Sequence, residues 1–196
     1  MIKIVLASAS KTRRDILDRI GLVYEIVPSN AEEQSTAKDP AGYVRDLALL
    51  KAASTAKKVA GNTLILAADT VIYQDGKIYG KPTDRENAFQ SLRELAGGDS
   101  FAYTGTVVYD PAQNKQIAFG DVCRVTLKKM TDEEIRWYVE KEENLLHISG
   151  YAMLGKAALF LDRVEGDYHT LFGLSPGKLY DAFRQLGYRL SDFEWK

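Results

Sequence analysis

The residues with chemical capacity in this sequence gather where apolar runs stop. Ile2 to Leu6 gives way to Ala7-Ser8-Ala9-Ser10, and then to Lys11, Thr12, Arg13 and Arg14. At a strand-to-helix junction the first backbone N–H groups and the helix dipole favour an anion, and flanking cations strengthen such a site. The same residues have a structural use, with Ser10 capping the helix and the basic side chains in water. A basic first turn opposes the dipole, which makes the purely structural use the poorer account.

A second cluster, Asp69-Thr70, follows the apolar run Leu64-Ile65-Leu66-Ala67-Ala68. A carboxylate at the end of a buried strand suits a metal ligand or a general base, and also an N-cap or turn. Lys81-Pro82 supplies a cation that a hairpin could carry back to the same edge, or a plain surface lysine. Lys51 lies among Leu49, Leu50, Ala52 and Ala53, where an ammonium needs an anionic partner or a snorkelling path to water. Glu32-Glu33 completes the set. Acids at Glu32, Glu33 and Asp69 with cations at Arg13, Lys51 and Lys81 are the groups phosphoryl chemistry uses. Carboxylates hold a divalent metal, and lysine and arginine neutralise phosphate oxygens while water attacks phosphorus.

These residues need a frame to position them. Lys3 to Leu6 reads as a short buried strand and Lys11 to Ile20 as a helix stopped by Gly21. Val23 to Pro28 reads as a second strand, followed by a polar loop from Ser29 to Asp39. Pro40 opens a long helix to about Ala60, with Tyr43, Val44, Leu47, Leu50 and Ala53 at helical spacing. Asn62 to Ala68 is a nearly all-apolar strand of the kind covered on both faces. Asp69-Thr70 comes next, and then a hairpin turning at Asp75-Gly76. A helix over Asp84 to Leu95, capped by Thr83 or Asp84, ends at Gly97-Gly98. Phe101 to Tyr109 and Gln116 to Leu127 read as antiparallel strands around Asp110-Pro111. Thr131 to Glu140 is a helix opened by a capping box. Strand at Ala157 to Val164 and a helix from Ser175 to Leu186 finish the pattern. Helices alternate with strands around an antiparallel section, so the class is α/β with a mixed, twisted sheet. Open sheets of this class bind ligands outside their strand ends.

Composition excludes several functions. At 196 residues the chain is one domain, or two small lobes, and 45% hydrophobic with 27% charged residues is an ordinary globular balance. A net charge of −1 gives no global pull on nucleic acid or membrane, and no basic stripe with interleaved aromatics appears. The single cysteine, Cys123, excludes an internal disulfide and a cysteine zinc site, and suits a reducing cytosol. No signal-peptide core or membrane span is visible. The expectation is a cytoplasmic monomer or small oligomer, a homodimer being the first assembly to test.

The segment LASASKTRRDIL resembles the opening "LAS-x-S-x-x-R-x-x-LL" motif of the Maf family, septum-formation-inhibitor-like nucleoside triphosphate pyrophosphatases. The likeness continues in order: Glu32-Glu33 on an acidic loop, YVRDLALLKA on a long helix, and AADTVIYQDGKIYGKP on an "ADT…G…KP" signature. LAGGDSFAYTG, TDEEIRWYV, SGYAMLG and GDYHTLFGLSP follow on later motifs, so nearly the whole chain 1–196 is similar to one Maf-like domain. The resemblance implies an elongated mixed sheet flanked by helices, in two lobes around a cleft, a plan shared with inosine-triphosphate pyrophosphatases. It implies hydrolysis of a nucleoside triphosphate to the monophosphate and pyrophosphate with Mg²⁺ or Mn²⁺.

Carried onto this chain, the resemblance makes Asp69 the proton acceptor and a metal ligand, with Glu32 or Glu33 assisting at the metal. It assigns Ser8, Ser10, Arg13, Lys51 and Lys81 to the phosphates, and Thr12, Thr70 and Leu154 to base choice. The chain departs from the pattern where Leu50 replaces a glutamate, His147 a lysine, Ser149 a glycine and Leu154 a glutamine. Thr12 stands where members acting on dTTP and UTP carry arginine, and Thr170 takes an asparagine-like place. Modified and pyrimidine nucleotides are therefore both candidate substrates. The rival readings are an ITP/XTP-type pyrophosphatase and a weakened nucleotide-binding regulator of cell division.

Overall fold

The computed structural model describes residues 1–151 and 155–196. Its strands are β1 (Lys3–Leu6), β2 (Glu25–Ile26), β3 (Thr63–Gln74), β4 (Lys77–Tyr79), β5 (Asp99–Asp110), β6 (Lys115–Leu127) and β7 (Leu161–Gly166). Its α-helices are α1 (Lys11–Arg19), α2 (Pro40–Ala56), α3 (Arg85–Leu95), α4 (Asp132–Lys141) and α5 (Pro176–Gln185). The strands form one 7-stranded sheet in the order β2-β1-β3-β5-β6-β7, with β4 also paired to β3. β1 lies parallel to both β2 and β3, and helices α1 and α2 supply the crossovers that parallel neighbours require. β3–β4 and β6–β7 are antiparallel. β5 and β6 are neighbours joined by residues 111–114, a connection short enough only for antiparallel strands. The fold is mixed α/β with helices flanking a twisted open sheet, as the alternation of elements implies.

Several boundaries differ from the sequence reading. The strand expected over Val23 to Pro28 is only Glu25–Ile26, both exposed at the sheet edge, where no second neighbour holds the ends. The helix expected to reach Ala60 stops at Ala56, and Lys58 Nζ reaches back to the Pro28 carbonyl at 2.8 Å. The strand expected over Ala157 to Val164 begins only at Leu161, after a 3-10 turn over Lys156–Phe160, where its ladder with β6 begins.

Asp69, expected at a strand end, does not end a strand. β3 runs unbroken for 12 residues from Thr63 to Gln74, so Asp69-Thr70 sits within it. Val71 and Ile72 are buried beyond Asp69, and the ladder Ile72↔Tyr79, Tyr73↔Ile78, Gln74↔Lys77 keeps the chain extended. The expected turn is present, with Asp75 at φ 49° and Gly76 at φ 84°, as a two-residue hairpin of this hand demands.

The chain divides into two compact units. The first comprises Met1–Asp69, Thr104–Asp121 and Phe172–Lys196, and the second Thr70–Tyr103 and Val122–Leu171. In the first, Ala48 and Ala52 of α2 pack with Ala7, just past β1, and with Ile65, Ala67 and Val107 of the strands. Such small side chains let a helix sit close to a sheet. Gly105 of β5 carries this to the limit, because a Cβ there would lie 2.6 Å from the Val44 carbonyl. In the same unit, the Phe193 and Phe183 rings pack at a tilt with centroids 4.4 Å apart, and Ile2 bridges to Phe193.

In the second unit, α3 and α4 bury Phe89, Leu92, Leu95, Ile135, Tyr138 and Val139. Thr131 caps α4 and Glu134 returns the bond, completing the expected capping box. The Tyr151 hydroxyl shares a 2.7 Å hydrogen bond with Ser100, and Cys123 of β6 is fully buried. Among the described residues, no helix is long and apolar enough to cross a membrane.

Candidate active site

The turn between β1 and α1 is organised by its serines. Ser10 is the N-cap of α1, its Oγ accepting from the Arg13 N–H at 3.5 Å and sharing a 2.9 Å bond with Thr12 Oγ1. The Ser10 N–H donates in turn to Ser8 Oγ at 3.2 Å. Ser10 therefore has the structural use open to it, and Thr12 is tied to that cap. The basic residues divide. Lys11 is an exposed ion pair with Asp15 at 2.8 Å, one helical turn along. Arg13 instead points inward and is only 8% exposed. Its Nε donates to the Gly173 carbonyl at 2.9 Å and its Nη1 to Ser8 Oγ at 3.0 Å. Burial lowers the pKa of its guanidinium, and the negative charges of Asp69 and Glu33 oppose that shift. It stays charged, as arginine does.

Strand periodicity delivers the acid. Side chains two apart share a face of a strand, and Ile65 and Ala67 both pack against Ala48 and Ala52 of α2. Asp69, next in that series, faces the same helix. α2 starts at Pro40 with Asp39 as N-cap, its Oδ1 accepting from the Gly42 N–H at 2.7 Å. Lys51 lies one turn beyond Ala48, and its ammonium meets Asp69 Oδ1 at 2.5 Å and Glu33 Oε1 at 3.1 Å. The side chains of Lys51 and Asp69 are each 12% exposed, whereas that of Glu33 is 53% exposed. The nearly buried lysine thus has the anionic partner its apolar surroundings demand. Leu50, where the family pattern carries glutamate, is exposed, so that departure leaves the Lys51 contacts in place.

Ser8, Ser10, Thr12 and Arg13 come together, then, and so do Glu33, Lys51 and Asp69, with Arg13 sensing both acids. Glu32 is not with them. It is exposed and takes its bond from Gln34 Nε2 at 2.5 Å. The remaining expected residues belong to the second unit. Thr70 is half-buried, and its carbonyl accepts from Ser149 Oγ at 3.1 Å, which gives the serine that replaces a glycine a definite role. Lys81 is exposed after β4, and His147 is exposed in a 3-10 turn, Leu145–His147. Thr170 is fully buried. Leu154 lies outside the described residues.

Two participants carried no chemical signal in the sequence: the Gly173 carbonyl that holds Arg13, and Gly105, which lets α2 approach the sheet. Each sits in a stretch similar to a family motif, GDYHTLFGLSP or LAGGDSFAYTG, and nothing else in the sequence marks it.

Among the described residues, no three His, Cys, Asp or Glu side chains meet as a ready metal cage. What is present is an acid pair, Asp69 and Glu33, on one ammonium. That fits Mg²⁺ or Mn²⁺ arriving with a substrate, since Mg²⁺ takes one or two carboxylates and completes its shell with phosphates and water.

Comparison with known proteins identifies the family. A family profile described as Maf-like protein matches residues 3–186. A dTTP/UTP pyrophosphatase of Thermoanaerobacter sp. (strain X514) is 39% identical over 183 residues, covering 93% of this chain and 96% of the relative. A dTTP/UTP pyrophosphatase of Caldanaerobacter subterraneus subsp. tengcongensis is 36% identical, covering 93% and 88%. A nucleoside triphosphate pyrophosphatase of Synechococcus sp. is 38% identical over 190 residues, covering 96% of each. The profile takes in every residue from Ser8 to Gly173 that shapes the surroundings of Lys51 and Asp69, and on that match the chain belongs to the Maf-like protein family.

Proposed function

We propose that this protein is a nucleoside triphosphate pyrophosphatase, splitting a triphosphate into the monophosphate and pyrophosphate, with dTTP and UTP the first substrates to try. The observation that carries this reading is the buried Asp69 carboxylate held by Lys51 beside the inward-facing Arg13. The names of the relatives support the pyrimidine choice.

In the proposed reaction, water attacks the α-phosphorus, a P–O bond forms and the bond to the β-phosphate bridging oxygen breaks. Asp69 accepts the water's proton, and Arg13 and Lys51 neutralise phosphate oxygens as charge shifts to the leaving pyrophosphate. The hydroxyls of Ser8 and Ser10, at a helix start, hold phosphate in place. Asp69 and Glu33 would hold Mg²⁺ or Mn²⁺, which when bound supplies charge neutralisation at the phosphates. Lys81 joins the phosphate contacts on the resemblance alone. Thr12, Thr70 and Leu154 are the positions to vary for base choice. A cytoplasmic location and a homodimer complete the reading; the single buried cysteine supports the former, and light scattering tests the latter.

The test is a panel of standard and modified triphosphates with Mg²⁺ or Mn²⁺, following pyrophosphate release. Turnover of dTTP or UTP that Asp69→Asn lowers by about a thousandfold or more is expected, the scale at which losing a catalytic base and its electrostatic help is felt. No turnover above that variant for any triphosphate would overturn the reading. A strong preference for ITP would move it to the inosine type.

A further inference from the structure

The Lys51 ammonium lies between the two acids that would hold a metal ion. It lies 2.5 Å from Asp69 Oδ1 and 3.1 Å from Glu33 Oε1, so a single cation already bridges both acids. The Lys51 and Asp69 side chains are nearly buried, so solvent and salt screen this pair weakly. A divalent ion approaching the acids meets a positive charge at short range and must displace it before it can bind. Lysine suits such displacement: a point charge on a flexible four-carbon stem, unlike the fixed fork of arginine. Arg13, by contrast, is held at both Nε and Nη1 and has no comparable freedom.

We propose that Lys51 is an internal counter-ion that blocks Asp69 and Glu33 against divalent metal until a polyphosphate draws its ammonium away. Metal and nucleotide then bind with positive coupling, and Lys51 carries the coupling. A triphosphate supplies the competing negative charge, and the acids released by Lys51 become available as the phosphates arrive. By linkage, metal tightens nucleotide to the same degree. This inference rests on the pyrophosphatase reading for its ligand, but its central claim concerns metal binding alone.

The decisive measurement is Mn²⁺ binding to the full chain without nucleotide, read from the free Mn²⁺ signal in electron paramagnetic resonance. Lys51→Met and Lys51→Gln should bind Mn²⁺ about tenfold or more tightly than the unmodified protein, within the usual range of coupling between sites. Adding Asp69→Asn to either variant should abolish the gain, and Lys11→Met should leave Mn²⁺ binding unchanged. Unchanged or weaker Mn²⁺ affinity in folded Lys51 variants, checked by circular dichroism, overturns the proposal.

A measurement on the unmodified protein covers the case in which those variants fail to fold. With ¹⁵N-labelled lysine, the Lys51 ammonium resonance should stay in place with Mg²⁺ alone and move when an α,β-methylene nucleoside triphosphate is added. Mg²⁺ alone shifting it at micromolar concentration overturns the proposal. The two readings fail separately. Tightened Mn²⁺ without hydrolysis of any triphosphate removes the pyrophosphatase and leaves the counter-ion. Hydrolysis with unchanged Mn²⁺ affinity does the reverse.

Discussion

Arg13 concentrates at one side chain what distinguishes this site from an ordinary helix start. It is buried, donates to a backbone carbonyl on one side and to Ser8 on the other, and feels both nearby acids. Lysine cannot reproduce that fork, so Arg13→Lys should keep the charge yet leave the Gly173 carbonyl or Ser8 without its donor. The expected result is a loss of about 1–3 kcal/mol in stability, from an unsatisfied buried group, measured by thermal melting. A fall in kcat/KM of about tenfold or more should accompany it, measured with the best triphosphate of the panel. Much of this was legible in advance. A run of serines and cations after an apolar strand has few structural uses, and a lysine among leucines and alanines needs a partner. Which of Glu32 and Glu33 would be that partner was not legible, because both lie in a loop where no periodicity assigns a face. The Gly173 carbonyl was equally silent, since a backbone acceptor has no side-chain signature.

At the scale of elements, the site depends on how closely α2 lies on the sheet. Gly105 permits that approach, and the alanines on both sides fill the gap without holding the helix off. Gly105→Ala would drive a methyl group into the backbone of Val44, so α2 must shift and Lys51 with it. Overpacking of this kind costs about 1–3 kcal/mol, which denaturant titration reads directly. Activity should fall with it, whereas Gly120→Ala, where nothing lies within 4 Å of the added carbon, should change neither. The helix itself was readable from Pro40, but its buried face only in part: Val44 and Leu47 are buried as their spacing implies, whereas Leu50 and Ala53 are exposed and Ala48 and Ala52 take the sheet side. The length of β3 was not, because Asp-Thr followed by a hairpin signal reads as the end of a strand. Pairing with β4 overrides that local preference, and it places Asp69 inside the sheet, where α2 covers it. The replacement of glycine by Ser149 likewise gained a meaning only from the fold, through its bond to the Thr70 carbonyl.

Across the whole molecule, charge sets the pH range of stability. Hydrogen bonds from Lys77 and Tyr79 hold Glu94 below the usual carboxylate range, Arg124 and Thr126 do the same for Asp99, and the Thr131 N–H for Glu134. A carboxylate depressed in the folded state stabilises above its unfolded value, about 4, and loses that contribution as pH falls through the lower folded value. The melting temperature should therefore hold from neutral pH to about 5 and drop below about 4, with Glu94→Gln flattening the acid limb. Tyr79 and Tyr188 are shifted upward, first by burial and then by the acids they bond, Glu94 and Asp110. Their contribution is complete below about 10 and is lost as pH climbs towards their raised values, so scanning calorimetry should show a second, alkaline decline. Cys123, the only thiol in the chain, is wholly enclosed in β6. The native protein consequently contains its own clock: a disulfide reagent can modify that sulfur only when the strand opens. The labelling rate, compared with that of the denatured chain, counts how often the interior breathes, and no residue has to be changed to read it.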